Sequence, residues 1–423
     1  MRISATAAAA ALGGALVLGL TAAPAALAAP ADSAACTTDA FGIAGKYGEF
    51  VLGDNVHSPD AEGAVAVGGN ADFRGGFSVA NELTAAEVGA LPGRASLVVR
   101  GSLLNGSSAT VVMKGNAVVG GKVGDTPVSL HAGTFSQKAD LIDFDGEFAK
   151  LRSYSSALAG EATTAGATVT PDGSKLTLAG SDSTRNVFNV TAAQLEQAKD
   201  IYIKVPAGST TIVNVSGAAY DMAKAGTTGF FLSDGQSFVL DDKLQSAAGG
   251  KVRAKLLWNF PEATTITKSS KAAWPGSVLA PQAHLELGTA APINGSVWVA
   301  SLHGSGGAET HHFPFTGCLP EPGKTPSATP TPSSTPETTP PVESTPPASA
   351  TPPPASSTPT GEASEPAAPG TPAPSQSTSP ATGGGDLAST GSSGTVPLVI
   401  GTAVVLAAGT GLVVAARRRS KRA

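Results

Sequence analysis

Between Cys36 and Cys318 the apolar positions come in short bursts of four or five residues, closed by Gly or Asn or by polar turns. Ala64-Val65-Ala66-Val67, Ser96-Leu97-Val98-Val99, Thr110-Val111-Val112-Met113, Ile201-Tyr202-Ile203-Lys204-Val205 and Thr211-Ile212-Val213-Asn214-Val215 are of this kind. Gly and Asn tolerate left-handed turns, so the pattern predicts short strands ended by tight bends. Such strands build either a sandwich or a solenoid. Internal similarity favours the solenoid. Gly276-Ser277-Val278-Leu279-Ala280 returns nineteen residues later as Gly295-Ser296-Val297-Trp298-Val299-Ala300. Val99-Arg100-Gly101-Ser102-Leu103 resembles Met113-Lys114-Gly115-Asn116-Ala117, fourteen residues on. Spacings of this size fit coils of a parallel β-helix, each burying its apolar strands against the coils above and below. The expected fold is therefore mainly β, a parallel β-solenoid, with a β-sandwich as the alternative.

Two stretches change period. Phe144, Phe148, Leu151, Tyr154 and Leu158 form one apolar stripe at helical spacing, with Asp143 or Asp145 placed to cap its start. Thr191-Ala192-Ala193-Gln194 is a capping-box pattern that predicts a short second helix to about Ala198. Both are expected to flank the solenoid, the first as core packing.

The chain ends are patterned differently. Arg2 precedes an Ala/Leu/Gly-rich run ending at Ala26-Leu27-Ala28, a small-x-small site that predicts a signal peptide over 1–28. Cleavage is expected between Ala28 and Ala29, with Ala31 as the alternative. From 319 to 385 the chain is Pro, Ser, Thr and Ala with few apolar side chains to bury, which predicts an extended, disordered stalk. At about 3.1 Å per residue it reaches at most about 200 Å. Residues 386–423 combine Leu387-Ala388-Ser389-Thr390-Gly391, an apolar run over 396–416 and the basic Arg417-Arg418-Arg419-Ser420-Lys421-Arg422. Twenty-one helical residues rise roughly 30 Å, enough for a bilayer's hydrocarbon core.

This tripartite tail resembles the cell-wall sorting signal of Gram-positive surface proteins. The resemblance implies that a sortase thiol cuts between Thr390 and Gly391 and joins the Thr390 carboxyl to peptidoglycan. Ala388 stands where the commonest signal has Pro, a variant similar to substrates of class E sortases. An ordinary single-pass membrane protein is the plainer reading, and it leaves the pentapeptide's position to coincidence.

An exported chain meets an oxidising compartment, and its two cysteines bracket the folded region. One disulfide, Cys36–Cys318, is expected. Removing both end segments leaves 21 basic against 32 acidic side chains, a net charge of −11. Such a chain argues against nucleic acid as a partner.

Three blocks carry a second resemblance. Phe50-Val51-Leu52-Gly53-Asp54 with Asp60-Ala61-Glu62-Gly63 to Gly69-Asn70, Gly276 to Pro281, and Glu309-Thr310-His311-His312-Phe313 resemble the choice-of-anchor A family of bacterial surface proteins. The resemblance spans Phe41 to Gly317 and implies an adhesin with an extracellular-matrix or cell-surface ligand, collagen in some members. The C-terminal half also looks like the ice-binding-protein-like solenoid. Regular Thr-rich faces would be expected of an ice binder, and the Thr pairs here are not periodic.

Candidate chemistry is sparse. Asp54, Asp60 and Glu62 are three carboxylates within nine residues, readable as a cation site, an acid/base pair or strand-ending turn residues. Glu309 and His311 share a strand face, whereas His311 and His312 point to opposite ones. No nucleophile elbow, zinc helix or phosphate-cradling loop is present in the sequence. No catalytic residue, resident metal or cofactor is expected. A wall-anchored, polysaccharide-active β-helix using Asp/Glu pairs is the alternative in another class.

Overall fold

The computed structural model describes residues 36–304 and 306–321. Most of its strands are two to five residues long, and they stack in parallel to form the three sides of a solenoid. On the first side ten strands run in the order Phe135–Gln137, Asn116–Val119, Ala95–Val99, Val65–Val67, Glu49–Val51, Val297–Gly304, Ser277–Glu286, Leu256–Asn259, Thr210–Ser216 and Arg185–Thr191. This is not the order of the chain. The first coil starts mid-stack at Glu49, and later coils climb outward to Phe135. The chain then crosses back through the helix Phe144–Ala159 and refills the stack from Arg185 inward. The last coil closes on the first, with Phe50 opposite Trp298.

The helix length suits that crossing. Sixteen residues rise about 24 Å, the thickness of five coils at about 4.8 Å each. Asp143 caps its start by accepting from the Gly146 N–H. Phe144 and Phe148 stack on Phe50 at 5.2 and 5.5 Å. At the other end three in-register asparagines tie it down. Asn259 Nδ2 donates to Ser155 O, Asn214 Nδ2 to Leu158 O and Asn189 Nδ2 to Glu161 O. Asn259 also donates to Asn214, and Asn214 to Asn189, so the three form one ladder across adjacent coils.

The second side carries Ala219–Asp221, Thr265–Thr267, the second halves of Ser277–Glu286 and Val297–Gly304, then Asn55–His57, Ala71–Asp72 and Leu103–Leu104. The third carries Ser129–Leu130, Thr110–Val112, Phe77–Val79, Asp60–Ala61, Thr310–His311, Ile293–Asn294 and Trp274–Pro275. A separate five-stranded mixed sheet contains Thr168–Asp172, Lys175–Ala179, Asp200–Lys204, Gly229–Ser233 and Val239–Leu240.

One corner explains a recurring sequence signature. Gly69, Gly101 and Gly121 each donate their N–H to the glycine carbonyl one coil below, those of Gly53, Gly69 and Gly101. A Cβ at Gly101 would lie 2.5 Å from Gly69 O, so the close approach of coils requires glycine. The next residue along completes the stitch. Asp54 Oδ1 accepts from Asn70 N, Asn70 Oδ1 from Ser102 N and Ser102 Oγ from Lys122 N, at 2.7 to 3.1 Å.

Several expectations change. The nineteen-residue repeat is a true coil, with Val278 opposite Val297. The fourteen-residue one is not: Val99 pairs with Val119, twenty residues on, because a whole three-sided coil separates stacked positions. Four α-helices occur among the described residues rather than two. Ala85–Ala90 and Met222–Ala225 are too short to show a stripe, and the predicted second helix ends at Leu195. Cys36 and Cys318 are joined, 5.3 Å apart at Cα, beside the pairing of Cys36–Thr37 with Leu319–Pro320. No helix of the described residues is long and apolar enough to cross a membrane. The run over 396–416, the signal peptide with Ala28 and Ala29, nearly all of the stalk and Leu387 to Gly391 lie outside them.

Candidate functional site

The three sides differ in what covers them. The first lies under the helix Phe144–Ala159. On the third, Lys243 reaches across from the segment 241–245 to Glu62 (2.7 Å), and Asp241 accepts from Asn294 Nδ2 (2.9 Å). The second side is open. Its inward row, Tyr220, Ile266, Leu285, Leu302, Asn55, Ala71 and Leu103, is buried. Period-two alternation therefore turns Thr265, His284, Ser301 and then Thr267, Glu286, His303, Val56, Asp72 and Leu104 outward. Hydrogen bonds between rungs hold several of these: His284 Nδ1 to Ser301 Oγ at 2.8 Å, and His303 Nδ1 to Glu286 Oε2 at 2.5 Å. Asp54 belongs to the edge of this side, where it stitches coils. The sequence grouped it with Asp60 and Glu62; the corner between them separates it from both.

Asp60 and Glu62 are instead joined by Glu309 and His311, because Thr310 pairs with Ala61 on the third side. Burial, then the charges of Glu309 and Glu62, push Asp60 up to about 6. Burial also raises Glu62, but the hydrogen bond from Lys243 and the His312 N–H outweigh it and leave the group below its usual range. Burial pushes His311 down, although Glu62 and Glu309 pull the other way. Its ring nitrogens lie 2.9 Å from Asn294 Oδ1 and 3.1 Å from Glu309 Oε2. His312 points away, to Glu87 at 2.9 Å. Among the described residues no group of three or more His, Cys, Asp or Glu side chains is arranged to hold a metal ion. Glu309 pairs with His311 and Glu62 with Lys243 of the 241–245 crossing, while Asp60 Oδ1 is buried without a hydrogen-bond partner.

Sequence reasoning missed a fully buried ion pair. Glu49 and His57 lie inside the coil with no exposed side-chain surface, Oε1 to Nδ1 at 2.9 Å. His57 Nε2 donates to Ala308 O, so the ring faces acceptors on both sides, the arrangement an imidazolium satisfies. Glu49 accepts from Asn55 Nδ2 and Thr310 Oγ1 as well. Burial works against both charges. The His57 charge and these hydrogen bonds nevertheless hold Glu49 below the carboxylate range, and Glu49 holds His57 above the imidazole range. The only signal in the sequence was a Glu inside an apolar run, and nothing there named its partner.

A smaller open surface lies on the five-stranded sheet. Tyr202 and Phe231 stack at 4.7 Å, Phe238 meets Tyr202 edge-on, and Lys175 Nζ lies 5.8 Å from the Tyr202 ring. These rings mostly occupy one another's faces.

The sequence profile described as "Putative Ice-binding-like adhesive domain" matches residues 40–312. The chain belongs to this family of ice-binding-like adhesive domains. Among solved structures, an ice binding protein from an Antarctic biological consortium aligns with 67% of this chain and 93% of its own, at 12% identity and a TM-score of 0.27. No curated protein matches the chain. Membership places the chain among adhesin-like surface binding proteins.

Proposed function

We propose that this protein is a cell-wall-anchored adhesin of the choice-of-anchor A type, holding its ligand on the open second side of the solenoid. The observation that carries the reading is the contrast between sides in an adhesive-family domain. A helix shields the first and the 241–245 crossing reaches over the third, while the second presents side chains fixed by inter-rung hydrogen bonds. Fixed side chains lose little freedom on binding, which favours recognition. For the polysaccharide-active alternative the structure holds Glu62 to Lys243 and Glu309 to His311, which leaves Asp60 as the one unpaired carboxyl of the group rather than an acid/base pair.

Display follows from the ends of the chain. A class E-type sortase would cut after Thr390 and link it to peptidoglycan, and the Pro/Ser/Thr segment would carry the domain outward. The ligand would be a matrix or cell-surface molecule, collagen among the candidates.

Mass spectrometry of muramidase-released wall fragments tests the anchor: a peptide ending at Thr390 and carrying cross-bridge residues is expected. Thr390→Ala should send the protein to the membrane or the medium. Intact Thr390–Gly391 in mature protein would refute it. Adhesion of displaying cells to immobilised collagen, fibronectin and glycans tests the domain, with loss expected when Thr265 or His284 is replaced by Trp.

A further inference from the structure

We infer that the second side takes an uncharged polysaccharide chain lying along the solenoid axis. This rests on the adhesin reading and names the chemistry of its ligand. Three observations lead there. First, the side is long and regular: seven parallel strands at about 4.8 Å spacing present a flat strip of about 30 Å. A linear polymer with a short repeat can meet equivalent groups rung after rung, and the advance per sugar of an extended pyranose chain is close to this spacing. Second, the outward groups are hydroxyl, imidazole and carboxylate, with aliphatic Val56 and Leu104 toward one end and no Phe, Tyr or Trp among the paired outward positions. A protein partner is normally anchored by buried aromatic or Arg residues at the centre of the contact, and this strip offers none there. Polyhydroxylated ligands instead need donors and acceptors in known positions, and the contacts of His284 with Ser301 and His303 with Glu286 supply these without a search over rotamers.

Third, charge selects among glycans. Asp54, Asp72, Asp221 and Glu286 lie on or beside the strip, while Arg74 is already paired with Asp72 at 2.5 Å. These carboxylates make the strip acidic, in a chain whose processed form would carry a net charge of −11. Polyanions such as alginate or heparin are repelled, and neutral chains are not.

The test uses cells displaying the full chain, with retention measured on cellulose, chitin, alginate and collagen. Retention on cellulose or chitin is expected, with none on alginate. Thr265→Trp and His284→Trp, which place bulk on exposed rungs, should weaken retention about tenfold or more, the loss of a single good contact. Lys204→Trp, on the five-stranded sheet, should leave it unchanged, and the circular dichroism of purified variants should match the parent. Glu286→Lys should admit alginate. Retention on collagen alone, blocked by the same substitutions, would overturn the glycan assignment and leave the adhesin reading standing. Glycan retention insensitive to Thr265→Trp and His284→Trp would overturn the choice of face. No retention on any surface would sink both.

Discussion

Replacing Asn214 by Leu should uncouple the crossing helix from the solenoid. Asn214 is 5% exposed and makes three hydrogen bonds: to Leu158 O, to Asn189 Oδ1, and from Asn259 Nδ2. Leu is close in size, so the change mostly removes polarity. Asn189 is exposed and can turn to water, and Leu158 O keeps the Glu161 N–H at 3.1 Å, but one Asn259 N–H is left buried without a partner. That orphan costs about 1–3 kcal/mol and the lost bond to Leu158 O about 1 kcal/mol, while burying Leu offsets about 1–2 kcal/mol. The net loss should be about 1–2 kcal/mol, a sizeable share of an ordinary domain's stability. Chemical denaturation should show a lower midpoint with an unchanged slope, and Tm should fall by about 2–8 °C. Asn189→Leu, on the exposed rung, should cost about 1 kcal/mol or less. The Asn214→Leu/Asn259→Leu double variant should cost clearly less than the sum of the singles, because each removes the same contact. If Asn214→Leu were no worse than Asn189→Leu, the ladder would not be what holds the helix.

Four further outcomes follow from the same structure. His57 is raised, so its contribution is complete below about pH 6.5 and is lost as pH rises through its folded value; Glu49 is lowered, so its contribution is complete above about pH 4.5 and is lost as pH falls. The pair should therefore stabilise most between those limits, and His57→Gln should remove the alkaline decline in stability; an unchanged decline would place it elsewhere. Asp60 has the opposite sign: raised to about 6, it subtracts stability as pH climbs from 3.8, so Asp60→Asn should steepen the acid side of the profile measured by denaturation. Opening Cys36–Cys318, which closes a separation of 282 residues, should cost up to about 5 kcal/mol in the chain-entropy picture, seen as a reductant-dependent Tm. Gly101→Ala should cost about 1–3 kcal/mol through its 2.5 Å approach to Gly69 O, whereas Gly89→Ala, with open space around it in a helix, should be neutral or stabilising.

The buried pair and the open strip have different consequences for the adhesin reading. Glu49–His57 sits where the first coil meets the last, so its protonation bears on closure of the stack rather than on ligand contact. His284 and His303 lie on the strip itself, where their partners Ser301 and Glu286 belong to the neighbouring strands. Substitutions at the two places should thus separate: stability for the first, retention for the second.

Local pattern was enough for much of this molecule. Runs of β-type residues stopped by glycine marked Val65–Val67, Ala95–Val99 and Thr210–Ser216. A 3.6-residue stripe marked the helix Phe144–Ala159, and a nineteen-residue echo marked the coil joining Val278 to Val297. Each depends on residues near one another in the chain, where backbone geometry sets the period. Which coils touch was settled only in three dimensions. Glu49 stacks on Val297, Asp60 and Glu62 meet Glu309 and His311, and Asp54 stays apart, because the chain enters at mid-stack and returns through a helix. That path is chosen by apolar surfaces far apart in sequence, Phe50 against Phe144 and Phe148 and Phe41 against Trp298, whose burial no single window of residues can register.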